Sequence, residues 1–389
     1  MDDALARTLE LLEALVALPS VSRAPNLEII GFIAAYLQRH GVEAHLVYDD
    51  SGHRANLFAT VGPDVAGGVV LAGHTDVVPT TGQDWALPPF ELTARDGLLY
   101  GRGTTDMKGF LASALATLAE ASARPLARPL HLAITYDEEP GSLGAPDLAR
   151  FMTELAIRPE AVIVGEPTGL RPVAGHKGGL ELTTRIEGFA CHSSDPRKGV
   201  SALEHALRFI AEIERLGSEL ARSAAADSPF DPPASTVNVG RLEAGTARNI
   251  VAGSAAFDWE VRLTPPDDAK TIFARIERLV EEQLLPEMRA SFAGARIETE
   301  VEAAYPGLEV VADGSALALA QRLTGVNGHD VVAFGTDAGC FQRAGLPTVV
   351  LGPGHIDQAH KPDEYIAVGE LERGLAVLDR LLDELETPR

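Results

Sequence analysis

The feature that most constrains this chain is an alternation of short apolar runs with stretches of helical period. Residues 69–72 (VVLA), 130–135 (LHLAIT) and 161–164 (AVIV) read as buried strands, being short, apolar and bounded by turn residues. Between the first two, Phe110, Leu111, Ala114, Leu115 and Leu118 recur at the spacing of one helical face. Strands alternating with helices predict an α/β layer whose sheet is mixed and largely parallel. From about Gly178 the rhythm changes. Strand 180–186, helix 200–220, strands 236–241 and 255–263, helix 270–284 and strand 296–301 give a βαββαβ order, which predicts a ferredoxin-like module. The first pattern then returns, with a strand at 348–351 and a closing helix at 368–385. We therefore expect a catalytic domain split into residues 1–177 and 302–389 around an inserted ferredoxin-like lid at 178–301, with 221–233 as a loop inside the insert. A length of 389 residues agrees with two domains.

Charge narrows the partners. Lys and Arg total 33 against 56 Asp and Glu, a formal net charge of -23, and such a field repels nucleic acid and anionic membranes. No apolar run approaches the roughly 18 residues that a bilayer crossing needs. The N-terminus begins acidic and places Leu9, Leu12, Leu15 and Val16 on one side of a helix that ends before Pro19, unlike the basic start of a secretory signal. Two cysteines, Cys191 and Cys340, are too few for a disulfide framework, so a cytoplasmic location is expected and both are read as small buried hydrophobes.

Strand ends repeatedly deliver histidine or carboxylate. VVLAG runs into HTDVVP, placing His74 and Asp76 past the carboxyl end of a strand, where open α/β sheets bind ligands. Residues i and i+2 of an extended segment face the same way, so Asp76 is expected to hold the His74 imidazole. Asp106, just before a helix, reads either as an N-cap or as a functional carboxylate. Asp137, Glu138 and Glu139 form a negative cluster that is either a solvated turn or a site needing cations. Glu166 ends a strand, and His355, Asp357 and His360 follow the last one. Jointly these supply the mixed nitrogen and oxygen donors suited to zinc or cobalt.

At this point the chain resembles the M20 metallopeptidases, and within them the acetylornithine-deacetylase branch. The motifs GHTDVVP, YGRGTTDMKG, DEEPGSLG, GEPT, HKGG, HSSDPRKGVSA and GPGHIDQAHKPDEY stand in order over roughly residues 70–366. The resemblance implies a zinc-peptidase-like catalytic domain and two divalent metals, zinc or else cobalt. His74 and Glu166 would hold one metal, Glu139 and His360 the other, and Asp106 would bridge them. His360 is preferred to His355 because the family pattern places Pro-Asp-Glu after the ligand. Glu138 would be the general base acting on a metal-activated water, and Asp76 the orienter of His74. His192 would donate to the oxyanion from the other subunit of a homodimer joined through the lid.

Asn249, Arg262, Gly335 and Thr336 look like substrate contacts, although Arg262 could equally pair with Glu260 and Asn249 could be a turn residue. The implied reaction is deacetylation of N2-acetyl-L-ornithine, a step of arginine biosynthesis. Succinyl-diaminopimelate desuccinylases, dipeptidases and carboxypeptidases share the same metal set, so fold and ligands do not choose the acyl group. A catalytically silent amino-acid-binding relative would be expected to lack Glu138 or a ligand, and every position is intact. A nucleotide-binding protein is disfavoured because no strand is followed by a GxxxxGK loop. Cys191 beside His192 is not read as a thiol nucleophile, since consecutive extended side chains point to opposite faces.

Overall fold

A computed structural model describes residues 2–265 and 267–387. It divides into two compact units, residues 1–175, 308–331 and 336–389, and residues 176–307 and 332–335. The second unit extends past the expected 301 because its last strand, Arg296–Tyr305, continues through an irregularity after Val301.

The first unit is built on an eight-stranded sheet. In chain order its strands are β1 (Ala44–Tyr48), β2 (Ala55–Val61), β3 (Val69–His74), β4 (Leu130–Thr135), β5 (Ala161–Pro167), β6 (Val173–His176), β7 (Asp330–Val332) and β8 (Thr348–Gly352), and across the sheet they run β1-β2-β4-β3-β5-β8-β6-β7. The four central strands β4, β3, β5 and β8 are mutually parallel. Antiparallel strands flank them, β1 and β2 on one side and β6 on the other. The sheet is thus mixed with a parallel centre.

Burial explains why the centre reads as unbroken apolar sequence. Every residue of β3, β4 and β5 is buried, because helices cover both faces. Val69, Leu71, Leu130, Leu132, Ala161 and Ile163 point into one core with the helices Asp2–Val16, Leu27–Arg39, Gly109–Ala121 and Val368–Leu385. On the opposite face, Phe58 stacks with His131 and meets Phe151 of the helix Ala145–Glu154 edge-on. The glycine before Glu166 matters here: a Cβ on Gly165 would collide with the Phe110 ring, so the helix Gly109–Ala121 can approach the sheet closely only where the side chain is absent.

The second unit has the element order expected of it. Its strands Gly178–Glu187, Thr236–Ala244, Ser254–Leu263 and Arg296–Tyr305 pair antiparallel in the spatial order second, third, first, fourth, the ferredoxin-like arrangement. Strict alternation in Ser254–Leu263 buries Ala255, Phe257, Trp259, Val261 and Leu263 against the helices Ala202–Arg222 and Ala269–Leu279. Ser201 caps the longer helix, its hydroxyl accepting from the Glu204 amide at 3.2 Å. Among the described residues no helix is long and apolar enough to cross a membrane.

Candidate functional site: a carboxylate-histidine cluster at the strand ends

Parallel strands all end on the same edge of a sheet, so the residues that follow β3, β4, β5 and β8 converge. His74 closes β3, residues 137–139 follow β4, Glu166 is the next-to-last residue of β5, and His360 comes from the loop after β8. Asp106 arrives from an irregular segment, Thr104–Lys108, ahead of the helix Gly109–Ala121. It does not cap that helix. Its carboxylate instead presents Oδ1 to His74 Nε2 at 3.2 Å and Oδ2 to His360 Nε2 at 3.3 Å. Behind each imidazole stands a glutamate: Glu166 Oε1 lies 3.6 Å from His74 Nε2, and Glu139 Oε2 lies 2.9 Å from His360 Nε2. Asp106 thus stands between two histidine–glutamate pairs, His74 with Glu166 and His360 with Glu139.

The other expected members fall beside them. Asp76 does not hold the His74 ring chiefly by its side chain. His74 Nδ1 lies 2.9 Å from the Asp76 main-chain carbonyl, and the carboxylate is more distant at 3.5 Å. A histidine two residues ahead turns its ring onto the local backbone, and this frees the Asp76 carboxylate for other donors. It accepts from the amides of Glu138 and Glu139 at 3.0 and 3.3 Å and from the Ser22 hydroxyl at 2.9 Å. Asp76 therefore fixes the loop on which both glutamates sit. Asp137 is turned away and bound by the Arg23 amide and the Arg54 guanidinium. His355 is directed elsewhere, its Nε2 3.5 Å from Glu370.

Electrostatics show that this cluster is short of positive charge. His74, Glu166 and Asp106 are only 1%, 4% and 6% exposed. Burial and the nearby Glu166 push the Glu138 carboxyl well above the usual range, and burial and Asp106 do the same to Glu166. Burial, reinforced by Asp106, raises Glu139 to about 7. Asp106 is buried too, yet hydrogen bonds from His360 and His74 hold it low. His360, hydrogen-bonded to Asp106 and Glu139, rises to about 10. Burial opposes a charge on His74, but Asp106, Asp76 and Glu166 outweigh it and keep its pKa well above the ordinary value. Glu139 Oε1 and Glu166 Oε1 are buried without a hydrogen-bond partner. Orphaned carboxylate oxygens cost free energy unless a cation meets them. The groups His74–Asp106–Glu139 and His74–Glu138–Glu166 each bring three donor atoms close enough to hold a metal ion.

One buried acid had no signal in the sequence. Asp337, beside the expected contact Thr336, accepts from the Thr135 hydroxyl at 2.6 Å and from Ser142, and its Oδ1 has no partner. Burial raises it to about 6. It ties together the two ends of the loop carrying Glu138. Only the fold brings residues 135, 142 and 337 together, so no local pattern could have marked it.

The remaining expected residues lie in other settings. Thr336 is buried and accepts from the Ala338 amide at 3.0 Å, a turn-stabilising role. Gly335 belongs to the second unit, where a Cβ would strike the Tyr305 ring. Arg262, in the same unit, bonds Glu260 at 2.7 Å and the Tyr305 hydroxyl, so the pairing along the strand is realised. Asn249 is exposed and its carbonyl accepts from Ser193 at 3.1 Å, which places it in one loop pair with His192. His192 is exposed; its Nδ1 lies 3.1 Å from the Ser194 amide, which donates to it, and 2.8 Å from the Ser194 hydroxyl. Cys191 is half-buried rather than buried, as its loop leaves it only partly covered, and its thiol faces main-chain carbonyls rather than the His192 ring. Cys340 is buried.

Known proteins share this architecture. The family described as peptidase family M20/M25/M40 matches residues 70–384. An acetylornithine deacetylase of Klebsiella pneumoniae is 36% identical over 367 residues, covering 92% of each chain, and one of Proteus mirabilis is 35% identical over 96% of each. A solved M20-family metallo-carboxypeptidase of Sulfolobus solfataricus superposes with a TM-score of 0.77 at 20% identity, covering 97% of this chain and 99% of its own. With the match spanning most of the chain and the histidine-carboxylate cluster at its strand ends, this protein belongs to the M20/M25/M40 peptidase family.

Proposed function

We propose that this protein is a two-metal amidohydrolase that cleaves N2-acetyl-L-ornithine to L-ornithine and acetate. The observation that carries the metal reading is Asp106, whose two carboxylate oxygens face two different histidines, each backed by its own glutamate. His74, Glu166 and Asp106 would hold one cation, and His360, Glu139 and Asp106 the other. Mixed imidazole and carboxylate donors suit zinc, with cobalt a workable substitute. When bound, such a pair supplies the Lewis acidity that polarises an acyl oxygen and acidifies the attacking water.

The chain's own residues would do the rest. Glu138 sits among carboxylates and is held by its main-chain amide on Asp76. A carboxyl whose proton affinity is raised by burial and like charge is suited to take a proton from water and return it to the departing amine. His192 is assigned to the oxyanion, contributed by the partner in a homodimer that pairs through the ferredoxin-like unit. Asn249, Arg262, Gly335 and Thr336 are assigned to substrate. The substrate itself rests on the acetylornithine deacetylases that the chain resembles at 35–36% identity. With that substrate we assign the protein a cytoplasmic place in arginine biosynthesis.

The test is release of free amine by zinc-loaded protein from N-acetylornithine, N-succinyl-diaminopimelate and a dipeptide, with Glu138→Gln alongside. N-acetylornithine should turn over fastest, and the variant should lose roughly 100-fold to 10,000-fold in kcat while keeping its zinc. A faster reaction with another substrate would replace the acyl group and leave the mechanism standing. Undiminished turnover by the variant would remove Glu138 from its role.

A further inference from the structure

The half-site built on His360 has a weakness that the other lacks. His74 is locked in a buried strand, whereas the His360 side chain is 52% exposed and its loop contains two residues in the left-handed region, His360 at φ 62° and Asp363 at φ 55°. Non-glycine residues hold that conformation only where the surroundings over-determine it. The surroundings here are residues 83–87 and Arg102. Gln83 Nε2 donates to the His360 carbonyl at 2.9 Å, and the amides of Ala86 and Leu87 donate to Asp363 Oδ1 at 3.0 and 3.1 Å.

Arg102 joins this clamp to Asp106. Its guanidinium donates to Gln83 Oε1 at 2.6 Å and to Glu364 Oε2 at 2.7 Å, and it lies over the Trp85 ring, 4.9 Å from the centroid. Arg102 and Glu364 are each 1% exposed. Glu364 in turn accepts from the amides of Gly103, Thr105 and Asp106 at 3.0, 3.0 and 3.1 Å. A continuous chain of hydrogen bonds thus runs from the His360 backbone through Gln83, Arg102 and Glu364 to the Asp106 backbone.

We propose that Gln83, Arg102 and Glu364 are positioning residues that set the distance between His360 and Asp106, and so control cation binding at the His360 half-site and not at the His74 half-site. This rests on the reading of the cluster as a two-cation site. Partners one step behind a metal ligand commonly govern affinity by about 10–100-fold.

The experiment is calorimetric titration of metal-stripped full-length protein with zinc, comparing wild type, Gln83→Leu and Glu364→Gln, with thermal unfolding of each zinc-free form. Gln83 lies at the edge of the network, so Gln83→Leu removes its hydrogen bonds to His360, Arg102 and Trp85 while leaving the buried Arg102–Glu364 ion pair in place. Wild type should take up two zinc ions. Gln83→Leu should bind the first with unchanged affinity and the second about 10-fold or more weakly, with the zinc-free unfolding temperature lowered by no more than about 4 °C; Glu364→Gln, which also loosens the shared Asp106, should weaken the second step more than the first on a less stable background. If wild type takes up no zinc, the two-cation reading itself falls. If wild type takes up two and Gln83→Leu matches it at both steps, or loses both steps together with stability, the positioning role is overturned while the two-cation reading stands.

Discussion

Single side chains at this site are held by partners that are themselves dedicated to holding. Asp76 receives three hydrogen bonds, two of them from the amides of Glu138 and Glu139. Replacing it with alanine leaves those part-buried donors without their acceptor, and a donor left unsatisfied in full burial costs about 1–3 kcal/mol. We predict that Asp76→Ala lowers the free energy of unfolding by about 2 kcal/mol or more and reduces kcat at least about 10-fold, whereas Asp76→Asn, which keeps one acceptor oxygen, lies between it and wild type. Equal stability of all three in denaturant titrations would show that the loop does not depend on this carboxylate. His74, Asp106, Glu139, Glu166 and His360 stood out in the sequence because each lies near a strand or helix boundary, but only the family resemblance grouped them as ligands and chose His360 over His355. Asp337, Gln83 and Arg102 could not, since what marks them is burial or a bond to a residue far along the chain.

Elements act on the site through how closely they pack. The helix Gly109–Ala121 carries the Asp106 segment at its head and crosses the sheet where Gly165 leaves room for Phe110. Gly165→Ala forces the ring and the helix outward, and overpacking of this kind costs about 1–3 kcal/mol. Because Glu166 is the next residue and Asp106 heads the helix, zinc affinity should fall along with stability. A variant that melts lower but binds zinc as wild type does would show that the helix and the site move independently. The apolar runs of the central strands were visible in sequence because burial on both faces demands them. The edge strand β1, and the small sheet formed by residues 93–95, 98–100 and 365–367, carry no comparable signature, since they are short or half-exposed.

At the scale of the whole molecule, a buried histidine contributes to acid sensitivity. His131, on β4, is stacked on Phe58 and its Nδ1 lies 2.8 Å from the Thr60 hydroxyl. Burial lowers its pKa to about 4 from an ordinary 6.5. Above the unfolded value the ring is neutral in both states and its full contribution is present. As pH falls from about 6.5 to about 4 the unfolded chain gains a proton that the folded chain refuses, so stability drops by about 3 kcal/mol and then levels off. Denaturant unfolding of wild type and His131→Gln across that window should show a shallower fall in the variant; parallel curves would remove His131 as a cause.

The sequence by itself determined the alternation of buried strands and helices, the ferredoxin-like order of the second unit and the residue types that gather at strand ends, because burial and periodicity are local demands that each segment must meet alone. Only the tertiary structure decided that Asp106 faces two histidines, that the Asp76 carboxylate holds the loop of Glu138 and Glu139 besides facing the His74 ring, and that residues 83–87 clamp a loop some 277 positions away. Those are distances between segments, and they exist only once parallel strands have brought their ends to a common edge.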